Sequence, residues 1–516
     1  MTIATHKSIR KSEYGDWQTN TDLSLSICQF LKQSGLRPQV VIEPTCGCGN
    51  FIVAALQTFD TIEDIYGMEI YKPYLDELGQ RLSTDVRSKA NVHLYHQNIF
   101  DFDFNSIKQH LDGREVLILG NLPWVTNSML GGIGSRNLPK KSNFKKAKGL
   151  DAITGKGNFD VAEYICYQLI DVFSTQHATL ALLIKNAVVK SIVYEQRVSK
   201  RAVSCIEQYN IDAAKEFDVS VAASLFKASL GKTASSTCTV YDFYTKARRN
   251  EYGWVNDKFV SDINDYERTK GLDGTCAQKW RSGLKHDCAK VMELSLADGH
   301  YINGFHETVD IEDDCVYPLL KSSQIKGDTI TDTSRYVIVT QHFTSDETSA
   351  FMLKYPKAYR YLCAHADMLD GRKSSIYKNR PRFCMFGIGT YSFKKYKIAI
   401  SGLYKHAHFS LVIPIKGKPV MLDDTCYMLG FDDVSCAKVS MKILNSDLVQ
   451  DFIHSLMFND AKRVINKELL MRIDMMKAFQ LLDKSSLGIS QHDYDAFLSF
   501  FESKKLPLQT ELFAYV

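Results

Sequence analysis

Three apolar runs in the first quarter of the chain each end on a residue able to hold a polar ligand. Val40-Val41-Ile42 leads into Glu43 and the turn Pro44-Thr45-Cys46-Gly47-Cys48-Gly49-Asn50-Phe51. Tyr66-Gly67-Met68 leads into Glu69 and Ile70, and Val116-Leu117-Ile118-Leu119-Gly120 delivers Asn121-Leu122-Pro123-Trp124. A carboxylate at Glu43 suits the ammonium of a methionine moiety, a charge-assisted contact. The glycine-containing turn beyond it lets a ligand approach backbone that side chains would otherwise shield. G-x-G-x-x-G is absent, which separates this turn from the dinucleotide fingerprint. Glu69, 26 positions beyond Glu43, can accept hydrogen bonds from two ribose hydroxyls or simply cap the helix entered at Pro73. Gln97-Asn98-Ile99-Phe100 offers an amide for the N6 edge of an adenine and apolar groups for its ring, or forms a plain turn.

The tetrapeptide points to chemistry on an aromatic amine. Such an amine is a poor nucleophile because its lone pair is delocalised into the ring. Two acceptors, the Asn121 side-chain oxygen and the Leu122 carbonyl, favour the pyramidal geometry of attack. Pro123 restricts the residue before it to an extended conformation, and Trp124 offers a face on which a base can stack. This is positional and electrostatic catalysis that needs no metal.

These residues need a scaffold that places strand ends side by side. Candidate strands are Val40 to Ile42, Ile65 to Ile70, Val116 to Leu119 and Thr179 to Ile184, with helical periodicity at Phe51 to Thr58, Pro73 to Leu82 and Val161 to Phe173. The alternation predicts an α/β fold, a doubly wound Rossmann-like sheet over 1–245. From about Arg248 β-branched and aromatic runs take over, at Tyr336 to Thr340, Tyr396 to Ile400 and Phe409 to Ile413. Helical periodicity returns in Asp447 to Phe458 and Lys467 to Leu482, so 246–516 is expected to form a mixed α+β domain with a helical C-terminal part. Two domains also suit 516 residues of which 45% are hydrophobic and 24% charged. No apolar stretch is long enough for a signal peptide or membrane span, and the thirteen cysteines are scattered without metal-ligand spacing. A cytoplasmic protein with reduced thiols and no metal is expected.

Net charge, +4, is small, but it is unevenly distributed. Arg136 to Lys148 holds six basic residues and no acid, Lys140, Lys141, Lys145 and Lys146 among them. Gly371 to Ile398 holds eight more, Arg372, Lys373, Lys378, Arg380, Arg382, Lys394, Lys395 and Lys397, interleaved with Tyr377, Phe383, Phe386, Tyr391, Phe393 and Tyr396. The mixture suits phosphate neutralisation beside stacking contacts, or a solvated surface over core aromatics.

The ordered set Gly15-Asp16-Trp17-Gln18-Thr19-Asn20, Glu43-Pro44-Thr45-Cys46-Gly47, Glu69, Asn98 and Asn121-Leu122-Pro123-Trp124 resembles the gamma-class N6-adenine DNA methyltransferases of bacterial restriction-modification systems. The likeness extends through Trp280-Arg281-Ser282-Gly283-Leu284-Lys285-His286-Asp287, Tyr317-Pro318-Leu319-Leu320-Lys321-Ser322-Ser323 and Arg372-Lys373-Ser374-Ser375-Ile376-Tyr377-Lys378. It implies S-adenosylmethionine as cofactor, double-stranded DNA as partner and a flipped-out adenine as target. By that resemblance Thr19, Glu43, Thr45, Gly47, Glu69, Ile70, Asn98 and Ile99 hold the cofactor, and Asn121, Leu122, Pro123 and Trp124 engage the target base. Phe217 stands where the family has a second aromatic clamp, or is a core phenylalanine. The long loop Val125 to Asn158 is assigned to the DNA backbone, and the second domain to target recognition. The chain departs from the family pattern at Leu122, at Asn20 where proline is usual, and at Asn98 where an acid commonly stands. The short stretch before Gly15 leaves no room for a fused nuclease, so a cognate endonuclease is expected to be a separate chain. Competing expectations are methylation of an RNA adenine or a protein amide, and a catalytically idle DNA-binding subunit.

Overall fold

Val40–Glu43 is buried along its whole length, the mark of a strand covered on both faces, and it becomes an interior strand, third from one edge, of a ten-stranded sheet. In a computed structural model, residues 17–84, 89–126, 129, 160–231, 233–458, 463–483, 485 and 487–505 are described. The sheet is built from β1 (Val40–Glu43), β2 (Asp64–Glu69), β3 (Asn91–His96), β4 (Val116–Asn121), β5 (Ala178–Lys185), β6 (Val203–Ile211), β7 (Ala223–Leu230), β8 (Thr237–Asp242), β9 (Arg248–Val255) and β10 (Lys258–Val260), in the order β3-β2-β1-β4-β5-β7-β6-β8-β9-β10. β1 to β5 are parallel, and β7 lies antiparallel between β5 and β6.

Strand order reverses between β1 and β4, and open α/β sheets bind ligands at the carboxyl ends of such a pair. Val40, Val41, Ile42, Val116, Leu117, Ile118 and Leu119 are fully buried. Each side chain of this size stabilises by roughly 1.5–3 kcal/mol on burial, so the residues just beyond them sit on a rigid base. This is the doubly wound, Rossmann-like sheet expected from the sequence.

Helix α1 (Thr21–Gln33) starts at Asn20, whose side chain accepts the Leu23 N–H, and buries Leu23, Ile27 and Leu31 at four-residue spacing. α2 (Asn50–Thr58), α3 (Lys72–Thr84), α4 (Val161–Val172), α5 (Asn186–Ser199) and α6 (Ala213–Phe217) complete what the site needs. The first compact unit runs to Ile263, past the expected 245, because β9 hydrogen-bonds onto β8 and β10 onto β9, continuing the same sheet.

The second unit, Asn264–Val516, contains a five-stranded and a six-stranded sheet. Tyr396–Ser401 is central to the first, paired on both sides, while Arg335–Ile338 is central to the second. Helices Val434–Leu444 and Asp447–Leu456 follow. The expected helix Lys467 to Leu482 is two, Lys467–Met471 and Met475–Leu481, because the Asp474 carboxylate accepts the Met476 and Lys477 N–H groups and starts a new one. Among the described residues no helix is long and apolar enough to cross a membrane.

Candidate active site

At the β1/β4 switch point a cleft of about 960 Å³, its open mouth included, is lined by residues from six segments of the chain. Thr19, Glu43, Thr45, Gly47, Glu69, Ile70, Asn98, Ile99, Asn121, Leu122 and Pro123 all face it. The sequence spacing therefore brought together the whole expected cofactor set and three of the four tetrapeptide residues.

The turn after β1 is held open by its glycine. Gly47 has φ +50°, so a larger residue would be strained there, and its Cβ would displace the Gln18 carboxamide. Gly47 N–H donates to Glu69 Oε2 (2.9 Å) and Tyr71 N–H to Glu69 Oε1 (2.8 Å), which fixes the carboxylate at the end of β2. Each carboxylate oxygen has a second lone pair for a hydroxyl donor. Glu43 is only 3% exposed, and its Oε2 has no hydrogen-bond partner. Gly120, at φ +155°, leaves room for its stem, since a Cβ there would meet Glu43 Cγ at 3.2 Å. Burial pushes the Glu43 carboxyl well above the usual carboxylate range, helped by the charge of Glu69 and opposed by the Ile52 N–H. Burial, with the charges of Glu43 and Glu69, likewise pushes the Cys46 thiol up, which leaves it without thiolate character at neutral pH.

Asn121 shows which way its amide points. Nδ2 donates to the Trp17 carbonyl (2.6 Å); a carbonyl can only accept, so Oδ1 is the atom left facing elsewhere. That oxygen is buried and has no hydrogen-bond partner, as is Thr19 Oγ1. Thr45 Oγ1 donates to the Asn121 carbonyl (3.0 Å), Leu122 N–H to Leu183 O (3.3 Å), and Val161 N–H to Val125 O (2.9 Å). The tetrapeptide is thus tied on both sides. Buried polar atoms without partners cost free energy. An acceptor at Glu43 and one at Asn121, opening on a cleft with the fixed carboxylate of Glu69, fit a ligand that brings an ammonium, hydroxyls and an amine. S-adenosylmethionine with a target amine has those groups.

Asn98 Oδ1 accepts the Phe100 N–H (3.1 Å), so the plain turn is present as well as the cleft position. Trp124 and Phe217 do not line the cleft among the described residues. They are 5% and 6% exposed and pack edge-on at 4.9 Å, so each is a core ring as well as half of an aromatic pair. Missed by the sequence reading were Trp17, which positions Asn121 through its backbone, and the wall residues Phe51, Tyr71 and Tyr74. A backbone acceptor leaves no trace in residue type.

The two basic runs differ. Lys140, Lys141, Lys145 and Lys146 lie outside the described residues. In the second run, Arg372 is turned to the Leu369, His286 and Cys384 carbonyls (2.7, 3.2 and 2.7 Å), with Tyr377 beneath its guanidinium. Lys397 is 1% exposed, with its amine pulled down to about 7 by burial. Lys394 pairs with Asp432, and Arg382 with Asp370 (2.9 Å). Lys373, Lys378 and Arg380 are at least partly exposed. The aromatic interleaving is therefore partly core packing, and only part of the run offers positive charge to a partner.

No family model matches the chain. It is 40% identical over 467 residues to the Type II methyltransferase M.NspV of Nostoc sp. (strain ATCC 29411 / PCC 7524), covering 90% of this chain and 97% of that protein. Among solved structures, the Type IIL restriction-modification enzyme MmeI in complex with DNA matches 92% of this chain and 67% of its own, with TM-score 0.49 and 12% identity. The EcoKI M protein of a type I restriction enzyme matches 46% of this chain and 51% of its own, with TM-score 0.31 and 13% identity.

Proposed function

The chain belongs to the Type II methyltransferases of restriction-modification systems and uses S-adenosylmethionine, and from that premise we propose that it methylates the exocyclic N6 amine of an adenine extruded from duplex DNA. The observation that carries the reading is Asn121: its amide nitrogen is committed to the Trp17 carbonyl, and its oxygen is left as a buried, unpartnered acceptor on the cofactor cleft. Bound S-adenosylmethionine supplies an electrophilic methyl group. Glu43 receives its amino group and Glu69 its ribose hydroxyls, while Asn98 and Ile99 border its adenine. Asn121 Oδ1 accepts one N–H of the target amine and the Leu122 carbonyl the other, which localises the nitrogen lone pair for attack. The base reaches them out of the helix.

Expression in a methylation-free host, followed by sequencing of its DNA with modified-base detection, tests this. N6-methyladenine at one short motif is the expected product. A different modified base, or label from radioactive cofactor found only in RNA or protein, overturns it.

We assign target recognition to residues 264–516. Alanine at Lys373, Lys378 or Arg380 should weaken DNA binding on all sequences and lower the salt slope by about one per lost phosphate contact, or relax the methylated motif at one position where the side chain reads a base. Arg372→Ala should instead lower the unfolding midpoint, because three carbonyls lose their donor. Titration of labelled duplexes at two salt concentrations, beside denaturant unfolding, separates the classes. Wild-type slope and motif in all three of the other variants would remove this run from DNA recognition.

A further inference from the structure

Four consecutive residues, Trp17 to Asn20, each hold a different part of the site. The Trp17 carbonyl holds Asn121 Nδ2 (2.6 Å), Gln18 Oε1 accepts the Cys48 N–H of the cofactor turn (3.3 Å), and the Thr19 carbonyl accepts Asn50 Nδ2 at the start of α2 (2.6 Å). Asn20 reaches the other way. Its Oδ1 caps α1 through the Leu23 N–H (2.7 Å), and its Nδ2 donates to Glu216 Oε2 (2.9 Å), across 196 positions of sequence.

Glu216 immediately precedes Phe217, the partner of Trp124. Only 9% of its side chain is exposed. Its other oxygen accepts the Tyr244 hydroxyl (2.9 Å), which also receives the Asp212 N–H at the start of α6 (3.2 Å). A carboxylate so enclosed loses much if one donor is removed, so the position of α6 is tied to that of the cofactor-side segment.

We infer that Asn20 and Glu216 are positioning residues that couple cofactor occupancy to the aromatic pair, so that S-adenosyl ligands and DNA strengthen each other's binding through this one hydrogen bond. The inference rests on the proposed DNA reaction. It also gives the asparagine at position 20 a use, since proline there has no side-chain donor. Binding coupling of this kind is reciprocal and typically about 5- to 150-fold; a value near tenfold is expected.

The test uses the full chain, S-adenosylhomocysteine and genomic DNA from a methylation-free host. The dissociation constant of S-adenosylhomocysteine, measured with and without saturating DNA, gives the ratio. Asn20→Asp keeps the acceptor that caps α1 but sets two carboxylates against each other, and its ratio should fall to about one. Adding Glu216→Gln restores a donor–acceptor pair with the direction reversed, and the oxygen of the new carboxamide still receives the Tyr244 hydroxyl; the double variant should regain a ratio near tenfold. A merely structural role would lower stability without this rescue. Wild-type methyl transfer to the DNA with a ratio of one, or a double variant no better than Asn20→Asp, overturns the coupling alone. A wild-type chain that transfers no methyl to the DNA overturns the reaction on which it rests, and the coupling with it.

Discussion

Replacing Asn121 by alanine should lower the methyl-transfer rate by about 10²-fold or more while changing cofactor affinity little. On the proposed reaction the side-chain oxygen accepts from the target amine, whereas Glu43, Glu69 and the turn between β1 and α2 hold the cofactor. Asn121→Asp is a sharper probe. It keeps acceptor oxygens but cannot donate to the Trp17 carbonyl, which the wild-type amide does at 2.6 Å, so two acceptors face each other and the side chain turns away. Both variants should lose turnover, and single-turnover rates at saturating cofactor measure it. Glu69→Ala should behave oppositely, weakening the cofactor first. Near-normal turnover in Asn121→Ala would remove the tetrapeptide from the mechanism.

The second large effect concerns Glu43 and pH. Burial, then the neighbouring Glu69, raises its carboxyl above the usual range in the ligand-free fold. The folded chain then keeps a proton that the unfolded chain has released. The stability this group contributes is full below the ordinary carboxylate range and is lost as pH rises through the raised value. A ligand ammonium reverses the balance by favouring the carboxylate. Binding of S-adenosylhomocysteine should therefore release a proton and tighten as pH rises toward neutrality. Calorimetry in two buffers of different ionisation enthalpy counts that proton. Glu43→Gln should abolish the release, weaken binding by about 10- to 100-fold through loss of a charged hydrogen bond of roughly 1.5–3 kcal/mol, and raise the thermal midpoint of the ligand-free chain at neutral pH. Proton uptake on binding, or an unchanged count in the variant, contradicts the assignment.

Four strands of the first unit, β1, β2, β4 and β5, and the residues at the ends of the first three were legible because both signals are local. A short, β-branched apolar run between helical stretches reads as a buried strand, and a polar residue at its carboxyl end then falls on the sheet's ligand-binding edge. The cleft follows from three such ends. What was not legible depends on partners far away in the chain. Trp17 serves Asn121 across 104 positions through a carbonyl that every residue carries. The basic run in the second unit has the composition of a nucleic-acid surface, yet Arg372 and Lys397 point inward, because a guanidinium can satisfy buried carbonyls and a lysine stem can fill a sheet interior. Phe217 was legible as a core phenylalanine or an aromatic clamp, but its packing on Trp124, 93 positions away, was not.

The antiparallel β7 has a consequence for how this protein is made. β7 (Ala223–Leu230) occupies a slot between β5 and β6, both of which precede it in the chain. During synthesis, at about 5–20 residues per second, Ala178–Lys185 leaves the ribosome seconds before the strand that will cover it. For that interval the nascent chain carries an apolar strand, Ala178-Thr179-Leu180-Ala181-Leu182-Leu183-Ile184, with one edge bare, a template for pairing with another nascent chain. β7 pairs with both β5 and β6, so translation pauses before Ala223 lengthen the exposure.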